Sequence, residues 1–119
     1  MEEKFVVDTY HQANEDAWCE INYRGDDPWL AIQVWAEAER KNRTCASINV
    51  ITREHACELI DYAYNNIDKV MYLCEAQRVS YKESYLRDAI IKAHEKRCEP
   101  FHDGTEDWER DQVHPFCLG

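Results

Sequence analysis

Between residues 53 and 75, apolar side chains recur at helical spacing: Ala56, Leu59, Ile60, Ala63, Ile67, Val70, Met71 and Cys74. A chain with such a stripe must bury one side of a long helix, and it can do so only against another packed element. The next element follows at once. Ser80-Tyr81-Lys82-Glu83 has the form of a capping box, in which a serine and a glutamate three residues on satisfy each other's free amides at a helix start. It opens a helix over 81–97, with Leu86, Ala89, Ile90 and Ala93 on its inner side. The short link Glu75 to Val79 then predicts an antiparallel helical hairpin, 53–75 against 81–97.

The first half reads differently. Residues 4–10 are rich in β-branched and aromatic side chains, and Trp18 to Tyr23 alternates. In that alternation Cys19, Ile21 and Tyr23 share one face, and Trp18, Glu20 and Asn22 the other. The polar stretch from His11 to Asp16 joins the two as a hairpin. Asp27-Pro28 is a strong helix start, and residues 28–41 place Trp29, Ile32, Trp35 and Ala36 on one side. A β-like run covers 45–51. The expected fold is α+β and helix-rich: a small antiparallel sheet (4–10, 18–23, 45–51), one helix (28–41) and the C-terminal helical hairpin. An all-α bundle is the alternative, because 8–21 also carries a weak helical pattern.

With 119 residues, 45% of them hydrophobic, the chain is sized for one core. We expect a single compact domain over 1–98, with 99–119 as an acidic segment packed on it or ordered by a metal. The start, Met1-Glu2-Glu3-Lys4, lacks the basic, then apolar, character of a secretory leader, which implies a cytoplasmic address. No run is apolar enough to span a membrane. The six cysteines are irregularly spaced and are expected as free thiols in a reducing compartment.

Charge is unevenly distributed in this chain of net charge −10. Residues 1–39 hold ten acids and two bases, 40–98 eight and eleven, and 99–119 six and one. Acidic ends around a mildly basic middle argue against direct binding to nucleic acid or anionic membrane. They favour a basic protein surface as partner. Exposed tryptophan beside acids suits such docking, and the partner-binding candidates are Trp29, Trp35, Glu37, Glu39, Trp108 and Glu109. Only one of Trp29 and Trp35 is expected to face outward, and the surplus of tyrosines also suits a contact between copies of the chain.

Two constellations carry metal chemistry. Cys98, His102, His114 and Cys117 form two mirrored Cys/His pairs around Pro-Phe dipeptides, and two thiolates with two imidazoles suit tetrahedral zinc. The chain would then be a zinc-stabilised interaction module, whereas without zinc no cofactor is expected. His94 lies one helical turn before Cys98 and competes for a place in that set. Glu58 and Asp61 are one turn apart, a geometry that holds magnesium in all-helical nucleotide pyrophosphohydrolases. That makes a magnesium-dependent nucleotide hydrolase the enzymatic alternative. Finally, Arg40, Lys41 and Arg43, with Lys96 and Arg97, are the anion-binding candidates, suited to an oligomer that sequesters a phosphate-bearing ligand. The leading expectation is a small acidic, non-enzymatic binding protein. It would act as an inhibitor or adaptor on a basic or nucleic-acid-binding surface of another protein.

Overall fold

A computed structural model describes residues 3–13, 15–42, 46–79, 83–96, 111–112 and 116. The fold is α+β. Strands β1 (Phe5–Ala13), β2 (Asp16–Gly25), β3 (Ala46–Val50) and the two-residue β4 (Asp111–Gln112) form an antiparallel sheet in the order β2-β1-β3-β4. Helix α1 (Pro28–Asn42) links β2 to β3, and α2 (Arg53–Asn65), α3 (Ile67–Ala76) and α4 (Glu83–Lys96) follow. The all-α alternative is therefore set aside.

The core lies between one face of the sheet and the helices. Phe5, Val7 and Thr9 of β1 are buried and alternate with partly exposed neighbours, as a half-covered strand does, whereas β3 is buried at Ala46, Ser47, Ile48 and Val50. Against them pack Ala31, Ile32, Trp35 and Ala36 of α1, Leu59, Ile60 and Ala63 of α2, Val70 and Met71 of α3, and Leu86 and Ile90 of α4. Asp27 caps α1 as its sequence implies: its carboxylate accepts from the amides of Trp29 (3.0 Å) and Leu30 (3.3 Å). Thr52 does the same for α2, accepting from the His55 amide at 3.2 Å.

The expected single helix over 53–75 is two helices. Asn66 leaves helical geometry (φ −125°, ψ 33°), and both its amide and its side-chain nitrogen donate to the Tyr62 carbonyl. An asparagine side chain competes for backbone partners in this way and so favours helix ends. The apolar stripe still reads as continuous because Ala63, Ile67 and Val70 all face the core on either side of the break. Helix α4 packs on both pieces, antiparallel as expected: the pairs Asp61–His94 and Asp68–Arg87 run in opposite chain directions.

Helix α3 ends through Arg78 in the left-handed region (φ 54°), with the Val79 amide reaching back to the Cys74 carbonyl at 2.9 Å. That position is normally glycine, because a Cβ there is strained. Arg78→Gly should therefore raise stability by about 1 kcal/mol in urea unfolding, the relief of strain exceeding glycine's extra chain entropy.

The β2 alternation is also corrected. Val7 pairs with Tyr23 but Asp8 pairs with Ile21, which leaves Asn22 as a bulge. One extra residue moves everything beyond it to the other face. Tyr23 is thereby turned onto the core side while Cys19 and Ile21 stay on the open side. Its hydroxyl accepts from the Asp27 amide at 3.2 Å and lies against Gly25, where any Cβ would collide with it.

The C-terminal segment is joined to this core where it is described. Its strand β4 pairs with β3, and the Phe116 ring meets Trp35 edge-on at 5.1 Å, fully buried.

Candidate functional site: the β1–β2 ribbon

The two strands of the first hairpin outrun the rest of the sheet. Among the described residues β3 pairs with β1 from Phe5 to Thr9, whereas β2 pairs with β1 all the way to Ala13. Among the described residues the outer half is therefore a two-stranded ribbon, its strands longer than the 4–10 and 18–23 expected from sequence. Every β2 side chain from Asp16 to Asn22 is exposed.

The ribbon groups several of the exposed large apolar side chains on one element; singly, Tyr72 of α3 (75%) and Tyr85 of α4 (53%) are more exposed. Trp18 is 50% exposed, Ile21 46% and Tyr10 44%. Paired residues share a face, so Trp18, Glu20 and Asp16 lie on the core side of the sheet and Tyr10, Cys19 and Ile21 on the open side. Acids are interleaved with them: Glu15, Asp16 and Glu20 are all exposed. A short two-stranded ribbon needs side-chain support. Here His11 stacks on Trp18 (centroids 5.1 Å, 16° between planes) with its Nε2 3.7 Å from a Glu20 oxygen, and Asn22 donates to the Thr9 hydroxyl at 2.6 Å. This support holds the Trp18 ring in place without covering it.

The partner-binding residues expected on α1 fare differently. Trp35 is fully buried and donates from Nε1 to the Ala46 carbonyl at 3.0 Å; Glu39 is 8% exposed and accepts from the Ala46 amide at 3.1 Å. Both are core residues that tie α1 to β3, which corrects their assignment to a docking surface. Trp29 is half-buried against Tyr62, and the Lys69 ammonium already sits 4.3 Å from its ring centroid. Glu37 is exposed. Trp108 and Glu109 lie outside the described residues.

Cys98, His102, His114 and Cys117 also lie outside the described residues, and among the described ones no three His, Cys, Asp or Glu side chains come together as a metal set. His94 is turned toward α2: its Nδ1 is 3.1 Å from Asp61 and its ring stacks on Tyr64 at 3.8 Å. The Glu58 and Asp61 carboxylates have separate partners, Glu58 the Lys4 ammonium at 3.1 Å and Asp61 His94. Of the anion-binding candidates, Arg40 bonds Gln77 at 3.4 Å and Lys96 is exposed at the end of α4. The Lys41 side chain, Arg43 and Arg97 lie outside the described residues.

Among the described cysteines, Cys19, Cys57 and Cys74 are thiols outside any disulfide. Burial, with Glu39 adding its negative charge, pushes the Cys74 thiol up to about 12. A thiol raised in the fold binds its proton more tightly there than in the unfolded chain. Its contribution to stability is therefore full below the ordinary thiol value of 9.0 and declines as pH rises from there toward 12. At pH 8, iodoacetamide should accordingly label Cys19 on the open ribbon well before Cys74, as read by peptide mass spectrometry. Equal labelling in the folded protein would contradict the placement of Cys74.

Comparison with protein-family models, with curated proteins and with solved structures finds no match to this chain. No helix among the described residues is long and apolar enough to cross a membrane. The ribbon carries its own sequence signal: Trp18 flanked by Asp16 and Glu20 at a spacing of two puts a large ring on an otherwise acidic strand face.

Proposed function

We propose that this chain is a non-enzymatic binding protein that docks its acidic, aromatic-bearing ribbon on a basic surface of a partner protein, as an inhibitor or adaptor. The observation that carries this reading is the exposure of Trp18, Tyr10 and Ile21 beside Glu15, Asp16 and Glu20 on a ribbon that, among the described residues, the core does not cover. Apolar rings supply binding energy once desolvated, and the surrounding acids steer and select the partner. Beyond the ribbon, Asp26, Asp27 and Glu37 are exposed along the same N-terminal half, with Arg24 and Arg40 the exposed bases among the described residues. The acidic C-terminal segment returns to this unit at β4 and at Phe116. A basic surface that otherwise holds nucleic acid matches this charge. The test uses purified, folded, positively charged nucleic-acid-binding domains. Association at 50 mM salt that weakens steeply toward 300 mM is expected, and absence of association with every such domain at low salt would remove the proposal.

A further inference from the structure

We infer that β2 binds its partner by strand addition, taking up an extended basic segment as a further strand on its open edge; this rests on the docking role proposed above. Strand β2 ends the sheet order, and among the described residues nothing pairs with its outer side over its ten residues. An open edge of this length is a template for another chain, and proteins commonly guard it with lysine, proline or a bulge. Strand β2 has no lysine and no proline, and its bulge at Asn22 leaves Asp16 to Ile21 regular. Its only guards there are the exposed acids Asp16 and Glu20.

Acidic guards decide the occupant. A second copy would set Asp16 and Glu20 against the same acids and bring two chains of charge −10 together, an arrangement that like-charge repulsion disfavours. A basic strand meets the opposite condition, so the same residues that turn away a copy admit it. The register specifies its pattern. Residues opposite one another share a face, so the incoming strand carries bases against Asp16 and Glu20, four residues apart. It places small or β-branched residues against Ala17, Cys19 and Ile21 on the other face, and a compact residue between the bases against Trp18.

The heptapeptide Val-Lys-Val-Thr-Val-Lys-Val meets this pattern in either chain direction and serves as the probe. Three versions are compared by calorimetry at low salt: the parent, one N-methylated on the Lys and Thr amides, and one N-methylated on the internal Val amides. In a strand, alternate amides point to opposite edges. Strand addition therefore predicts that one methylated version binds at least about tenfold more weakly than the parent, and the other within about twofold of it. It also predicts that alternate β2 amides become protected from hydrogen exchange when the parent peptide is bound. Equal binding of all three versions, or no binding of any while a folded basic domain still associates, would overturn strand addition and leave the docking role standing. Failure of the peptides and of every basic domain removes both. A chain that sediments alone as a dimer with its β2 amides protected assigns the edge to a second copy and also overturns the inference.

Discussion

Replacing Trp35 with alanine is expected to lower unfolding free energy by about 3–5 kcal/mol, the largest single-residue effect on stability in this fold. Three losses coincide at that position. The indole is fully buried between α1 and the sheet, so its removal forfeits transfer energy and leaves a cavity. Its Nε1–H bond to Ala46 at 3.0 Å disappears, and the edge-on contact that holds Phe116 loses its partner. Against a usual domain stability of about 5–15 kcal/mol, the loss is large enough to leave the variant partly unfolded at ordinary temperature. Trp35→Phe retains most of the volume but not the hydrogen bond, and should fall between wild type and alanine. Urea unfolding followed by far-ultraviolet dichroism measures all three proteins. A cost below about 1 kcal/mol for the alanine variant would mean that the ring is not where this packing puts it.

The second large effect concerns binding. Asp16→Lys with Glu20→Lys should weaken association with a basic domain by about a hundredfold or more at low salt, because two attractive contacts become repulsive. Trp18→Ala should cost about 2 kcal/mol of binding, the scale of an anchoring aromatic. Neither variant should unfold the protein: all three side chains are exposed, Trp18 gives up its stack on His11, and Glu20 its 3.7 Å contact with His11 at the ribbon's surface. Loss of binding with unchanged urea midpoints separates a docking role from a structural one. The control is Glu37→Lys, exposed on α1 away from the ribbon. It changes the net charge by the same amount as Glu20→Lys alone, so an equal loss from these two single variants would indicate that total charge, and not the ribbon, governs association.

How far the sequence reveals this molecule depends on whether the deciding interaction is local. Asp27-Pro28 announces α1, and the stripe from Ala56 to Cys74 announces buried helix, because capping and periodicity act within a few residues. The break at Asn66 is less visible: the asparagine competes for the Tyr62 carbonyl, yet the stripe continues past it. The bulge at Asn22 is invisible to alternation, since only pairing with β1 shows which residue is the extra one. On α1, Trp29 and Trp35 look equivalent in sequence, and the sheet alone determines which of them the core takes. The same holds for the ribbon. Its strands were legible, but its exposure is a matter of which strands pair beyond Thr9, and among the described residues only β2 does, a fact of tertiary pairing that no local pattern encodes. Glu39 misleads for the opposite reason: an acid near a helix end reads as solvated, yet its carboxylate accepts from the buried amide of Ala46.

The most direct test of the central claim is a hydrogen-exchange footprint of the chain bound to a folded basic domain at low salt. Docking through the ribbon predicts slowed exchange concentrated in Tyr10 to Ala13 of β1 and Asp16 to Ile21 of β2, with α2 and α4 unchanged. Protection confined to α2 and α4, with the ribbon amides exchanging as in the free chain, would contradict it.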